Sequence, residues 1–154
     1  MLPPEVDNLT PLYYISRNNE MTISPLTRTH AITRALGNPT RLRILAMLET
    51  GELCVCQITE VLGLAPSTVS AHLRELRLAG LIGERKQGKW VYASLQEKAE
   101  AARWTTLARE AVEGDPQIVA DASLVAELRR LPVEDLCHLG RQAAAPEVPT
   151  HDGT

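Results

Sequence analysis

Five glycines constrain this chain more than any other feature. Gly37, Gly51, Gly63, Gly80 and Gly114 each follow a stretch whose apolar residues recur at helical spacing. That is where a helix wants a left-handed C-terminal cap. The segments between them predict helices over about 26–36, 39–50, 55–62 and 66–79. Asn38 is placed to cap the second, and Pro39 and Pro66 suit the first turns of the second and fourth. Leu42, Leu45 and Leu48 make one buried stripe, and Val69, Leu73 and Leu76 make another at i, i+4, i+7. The opposite side of the fourth helix carries Ser67, Ser70, Ala71 and Arg74, with Thr68 and His72 nearby.

After Gly80 the period changes. Residues 81–95 read as two short strands joined at Gln87-Gly88, a β-hairpin whose tip carries Arg85, Lys86 and Lys89. A long helix is expected over about 96–113, with Trp104, Leu107, Ala108 and Ala111 on one face. Asp115-Pro116 breaks it, and one or two helical pieces follow over about 117–140. The domain boundaries expected are a partly disordered extension at 1–25, a folded unit at 26–113, a helical extension at 114–142 and a disordered tail at 143–154. The fold class is mainly α with a small β-hairpin.

Composition narrows the function. Hydrophobic residues make up 44% of 154, Phe is absent and aromatics total 3%, so the core must be aliphatic. No apolar run is long enough to span a bilayer and no secretion signal is visible, so a cytoplasmic protein is expected. The net charge of −3 is uneven. Residues 26–95 hold nine Lys/Arg against five Asp/Glu, and the remainder seven against fourteen. A basic middle between acidic flanks favours an anionic partner.

Two helices joined by a tight Gly turn and followed by a basic hairpin match a winged helix-turn-helix. Ser67, Thr68, Ser70, His72 and Arg74 would then meet base edges, with Arg favouring guanine. Arg85, Lys86 and Lys89 would supply affinity through phosphates or the minor groove.

The cysteines, Cys54, Cys56 and Cys137, are too few and too odd in number for a disulfide framework. Cys54 and Cys56 stand two apart at a helix start, and within a regular helix such residues point about 200° apart. A soft ion bonded at about 2.3 Å needs its sulfurs within roughly 4 Å of one another. Chelation must therefore find or make an unwound first turn. A helix N-terminus also favours thiolate over thiol.

The run GELCVCQITEVLGLAPSTVSAHLRELRLAGLIGERKQGKWVYASL closely resembles the arsenical-resistance (ArsR/SmtB) family of bacterial repressors, over roughly residues 26–112. The ELCVC start of the third helix, the STVSAHLRELRLAGLI helix and turn, and the RKQGKWVYASL wing carry the resemblance. It implies a homodimer packed through the first and last helices, for which Ile32, Ala35, Leu36 and the Trp104–Ala111 stripe are suited. It also implies binding to operator DNA, an inverted repeat, and release by arsenite or antimonite held on Cys54 and Cys56. Arsenite-responsive relatives often carry a third cysteine where this chain has Thr59, so Cys137 becomes a candidate third ligand. With no third sulfur, a methylated arsenical needing two thiolates would fit. Cadmium or lead, or oxidation of the thiols, are alternative stimuli for the same fold. The zinc-sensing branch uses Asp and His on the last long helix, and 96–113 contains no His. An enzyme using the cysteine pair for thiol–disulfide or arsenate chemistry would lack a phosphate loop and a C-x-x-C, and would leave the wing unexplained. No catalytic residue and no catalytic cofactor are expected.

Overall fold

The computed structural model describes residues 13–15, 17–18 and 20–136. Two short strands, β1 (Tyr13–Ile15) and β2 (Met21–Ile23), pair antiparallel with Tyr13 opposite Ile23. The sequence reading did not anticipate them. Helices α1 (Pro25–Leu36) and α2 (Pro39–Met47) follow, and a single 3-10 turn over Leu48–Thr50 ends the second. Strand β3 (Leu53–Cys54) leads directly into α3 (Val55–Leu62), and α4 is Pro66–Leu78. The wing is β4 (Ile82–Gln87) and β5 (Trp90–Leu95), and α5 (Ala99–Val112) and α6 (Pro116–Leu128) complete the chain up to a helical turn at 133–136.

Local chemistry explains most of these boundaries. Asn38 accepts the Arg41 N–H on Oδ1 at 3.1 Å, and Pro39 takes the first helical position, where no N–H is needed. Helix α4 ends in paired bonds: Gly80 N–H to Arg77 O at 2.9 Å and Leu81 N–H to Leu76 O at 3.0 Å. That closure needs a left-handed residue, and Gly80 has φ +74°. Gly37 departs from the expected pattern, with φ −74°. Its N–H still reaches Thr33 O, but the chain turns at once into extended Asn38, so no left-handed residue is required. In the wing, Gln87 pairs with Trp90, which places the turn at Gly88-Lys89, one residue later than the sequence suggests.

The core is aliphatic, as the composition requires. Ile44, Leu45, Leu48, Leu53, Ile58, Val69, Leu73, Leu76 and Leu81 are all at most 2% exposed. Leu42 is only half-buried, because Ile44 and Met47 take the inner face of α2 with Leu45 and Leu48. Ile32 and Ala35 belong to this core and Leu36 packs against it, so the inner face of α1 is spent within one chain. On α5 the inner positions are Ala101 and Thr105. Leu107 is 60% exposed, Ala111 is exposed, and Trp104 and Ala108 are half-buried.

Helix α6 packs on α2 and α3 rather than trailing away. Asp115 caps it, accepting the Gln117 N–H at 2.8 Å. Asp121 is 4% exposed and accepts both donors of Arg43, Nε at 2.7 Å and Nη2 at 2.8 Å, with Gln117 Nε2 at 2.9 Å. The carboxylate raises the Arg43 pKa chiefly through that hydrogen bond. Removing one member of a buried pair strands the other, at a cost that the partial exposure of Arg43 moderates. Asp121→Ala is expected to lower stability in urea melts by about 2–4 kcal/mol, while the paired change Arg43→Met with Asp121→Leu costs much less.

Candidate sensing site and nucleic-acid interface

Cys54 is both the last residue of β3 and the N-cap of α3, with extended backbone at φ −64°, ψ 142°. Cys56 stands two residues on, in the first turn of the helix. The pair therefore straddles a strand–helix junction, and the interruption that chelation requires already exists. A reciprocal cap fixes the junction: the Cys54 N–H donates to Gln57 Oε1 at 2.9 Å, and the Cys54 sulfur accepts the Gln57 N–H.

Burial decides the chemistry of Cys54. Its side chain is a free thiol, and the residue is 1% exposed. Burial pushes its pKa up, and the backbone N–H groups of Cys56 and Gln57 only partly offset that. The thiolate preference expected at a helix start is thus reversed here, because loss of solvation outweighs two backbone donors. Cys56 is half-buried and disulfide-bonded.

Both cysteines open onto a cleft of about 640 Å³ between α3, α4 and the wing. Thr59 lines it too, its hydroxyl donating to Val55 O at 2.8 Å. Leu73, Trp90 and Val91 make its apolar wall, and Ser70, Arg74 and Lys89 stand at the α4 and wing sides. Leu136, 3% exposed, lines the same cleft. Cys137 lies outside the described residues.

The surface expected to meet DNA divides into three groups. Ser67, Thr68, Ser70 and Arg74 are exposed on α4. His72 is half-buried, and burial together with the charge of Arg41 lowers its pKa. Arg41 is held over the end of α1 by the carbonyls of Ala35 (2.6 Å) and Arg34 (2.9 Å), so His72 faces a fixed cation. On the wing, Lys86 and Lys89 are exposed, and the Lys89 ammonium lies 4.5 Å from the centroid of the Trp90 ring. Arg85 is exposed too, but its Nε donates to Glu52 Oε2 at 2.8 Å, its Nη2 donates to Oε1, and its Nη1 reaches Gln87 Oε1 at 3.0 Å.

Sequence reasoning missed several residues that organise this region. Glu52 grips Arg85 across 33 positions, and Arg77 Nη1 ties α4 to the wing through Glu84 Oε2 at 2.6 Å. Arg129 reaches back to the turn before β3. The Glu52 and Arg129 bonds join distant positions, and the Arg77 bond crosses from a helix to a strand, so no single-element spacing reveals them. Among the described residues, no three His, Cys, Asp or Glu gather as a metal cluster.

Comparison with known proteins places this architecture. The model of the arsR family of bacterial regulatory proteins matches residues 38–83. The arsenic resistance transcriptional regulator ArsR1 of Pseudomonas putida is 34% identical over 104 residues, 66% of this chain and 80% of that protein. A cadmium resistance regulatory protein CadC homolog of Staphylococcus aureus is 40% identical over 68 residues, 44% of this chain and 56% of that one. Among solved structures, HlyU from Vibrio cholerae is 33% identical, covering 55% of this chain and 92% of its own, with a TM-score of 0.49. With its helix-turn-helix, wing and aliphatic core, the chain belongs to the arsR family of bacterial regulatory proteins.

Proposed function

We propose that this protein is a dimeric, operator-binding transcriptional repressor released by trivalent arsenic or antimony bound to cysteine thiolates. One observation carries the inducer: Cys54 and Cys56 sit at a strand–helix junction and open together onto the cleft between α4 and the wing. A ligand bridging them acts where the two DNA-facing elements meet. The arsenic-resistance regulator among its relatives supports the metalloid, and the cadmium-resistance relative keeps cadmium as the natural control.

Helix α4 presents Ser67, Thr68, Ser70 and Arg74 to base edges, and Lys86 and Lys89 meet phosphates. Dimerisation covers the outer face of α5, where Leu107 and Ala111 are exposed and unspent by the core. Arg74→Ala is expected to weaken specific operator binding about tenfold or more, the scale of one arginine–guanine contact. His72→Ala should cost less, since His72 is half-buried beside Arg41. Lys86→Ala and Lys89→Ala should each weaken specific and non-specific binding alike and flatten the salt dependence by about one unit of slope. Fluorescence anisotropy across a salt series checks all four, and unchanged binding throughout would remove this docking.

For induction, Cys54→Ser and Cys56→Ser are expected to bind operator under reducing conditions but to stay bound when arsenite is added. Full inducibility of both variants would place the sensing site elsewhere. The disulfide at Cys56 favours a second reading, in which oxidation of the thiols is itself the stimulus. Release of the wild type by peroxide, with no response to arsenite in reductant, would establish that one.

Cys137 is the proposed third ligand. The residue before it, Leu136, is buried on the wall of the same cleft, and consecutive Cα atoms are about 3.8 Å apart. Cys137→Ser is therefore expected to need markedly more arsenite for release, measured by titration on bound operator. Equal sensitivity would leave a two-thiolate site, suited to a methylated arsenical.

A further inference from the structure

Four residues form a closed circuit between the cysteine site and the wing. Cys54 on β3 is opposite Tyr92 on β5, and Tyr92 is opposite Arg85 on β4. The guanidinium of Arg85 lies 4.7 Å from the centroid of the Tyr92 ring. Glu52, two residues before Cys54, closes the circuit with its two-oxygen grip on Arg85. Directly paired residues on neighbouring strands share one face of a sheet, so this is a single row of side chains.

The turn behind Glu52 is held from the other side. Arg129, just beyond α6, directs Nη2 at the carbonyls of Thr50 (3.2 Å), Gly51 (3.3 Å) and Glu52 (3.3 Å), and at Thr50 Oγ1 (3.1 Å). Glu52 thus sits between a brace on the helical body and a cation on the wing.

The commitments of Arg85 bear on its role. All three of its nitrogens already have partners within the chain, two on Glu52 and one on Gln87. Three of its five N–H donors are thus engaged, and its charge is shared with a bidentate carboxylate, so a phosphate gains less from Arg85 than from an uncommitted cation. Lys86 and Lys89 carry no such carboxylate fork.

We propose that Glu52 and Arg85 form the link by which the cysteine site positions the wing, so that Arg85 is a positioning residue rather than a phosphate contact. The inference rests on the inducer reading above. Cys54 is 1% exposed, so seating an ion on its sulfur moves the Cys54 end of β3. Because Arg129 holds the preceding turn, that displacement passes outward through the Cys54–Tyr92 pairing and the Glu52–Arg85 fork. The wing shifts relative to α4, and the two elements no longer fit one DNA site together.

The test compares wild type, Glu52→Gln, Arg85→Gln and the double variant, all full-length and reduced. Near-ultraviolet absorption from arsenic–thiolate bonds measures arsenite binding, and anisotropy measures operator affinity with and without arsenite across a salt series. Arsenite binding is expected to be unchanged. The arsenite-induced loss of operator affinity should shrink about two- to fivefold in each single variant, the scale of one exposed ion pair. The double variant should lose no more than either single, since both break the same link. The salt slope of Arg85→Gln should match wild type. A slope lower by about one would identify Arg85 as a phosphate contact and overturn the proposal, as would an unchanged arsenite response in both single variants or additive losses in the double. The salt slope involves no arsenic, so it judges Arg85 by itself. A wild type that binds operator but ignores arsenite sinks the inducer reading instead.

Discussion

The two-residue strand Leu53–Cys54 ties the wing to the helical body. It pairs Leu53 with Ala93 and Cys54 with Tyr92, and it is the sheet's only connection back to the segment between α2 and α3 among the described strands. That pairing extends the two-stranded wing, a marginal unit by itself in water, to three strands, and Ile82 and Ala93 anchor it in the core. The pairing is strengthened by burial: Leu53, Cys54 and Ala93 are each at most 1% exposed. Under the proposed mechanism, this short buried ladder is the element through which a ligand on Cys54 would reach the wing.

Helix α6 and Arg129 beyond it brace the segment that leads into β3. The helix lies on α2 and α3, fixed to α2 by the Arg43–Asp121 pair, while Arg109 of α5 pairs with Glu49 at the start of the same turn that Arg129 holds. Charges reach the 49–52 segment from α5, from the end of α6 and from the wing. An exposed pair contributes little alone, but several converging on four residues restrict where that segment can go. Under the proposed mechanism, that restriction would direct any displacement of Cys54 toward the wing.

Much of this was legible in the sequence. Helix starts at Pro39, Val55 and Pro66 and the hairpin after Gly80 depend on capping, proline and period, which act within a few residues. The aliphatic stripe of Val69, Leu73 and Leu76 follows from helical spacing alone, and all three are buried. What escaped depends on distant partners. The left-handed cap assigned to Gly37 failed because the chain re-enters a helix at once. The outward role given to Ile32 and Ala35 failed because α2 and α4 pack against α1 and claim that face. Helix-start logic gave Cys54 the wrong direction of pKa shift, since it counts backbone donors and cannot see burial. The Glu52 partner of Arg85 lies 33 residues upstream, beyond the reach of any local pattern.

The burial of Cys54 has an energetic meaning for the switch. Burial disfavours the Cys54 thiolate, so under the proposed mechanism an ion that needs it would bind an opened junction better than the closed one. That difference in affinity is the only quantity a ligand can use to shift a two-state population. Moving it from 99:1 to 1:99 takes about 5.5 kcal/mol, whereas thiolate-rich metal sites reach about 10 kcal/mol or more. A fully exposed cysteine pair would bind the same ion in both forms and transmit little. Under the proposed mechanism, placing the first cysteine in the core, on the strand that pairs with the wing, would commit part of the binding energy to opening that strand and so couple the ion to the DNA-facing surface.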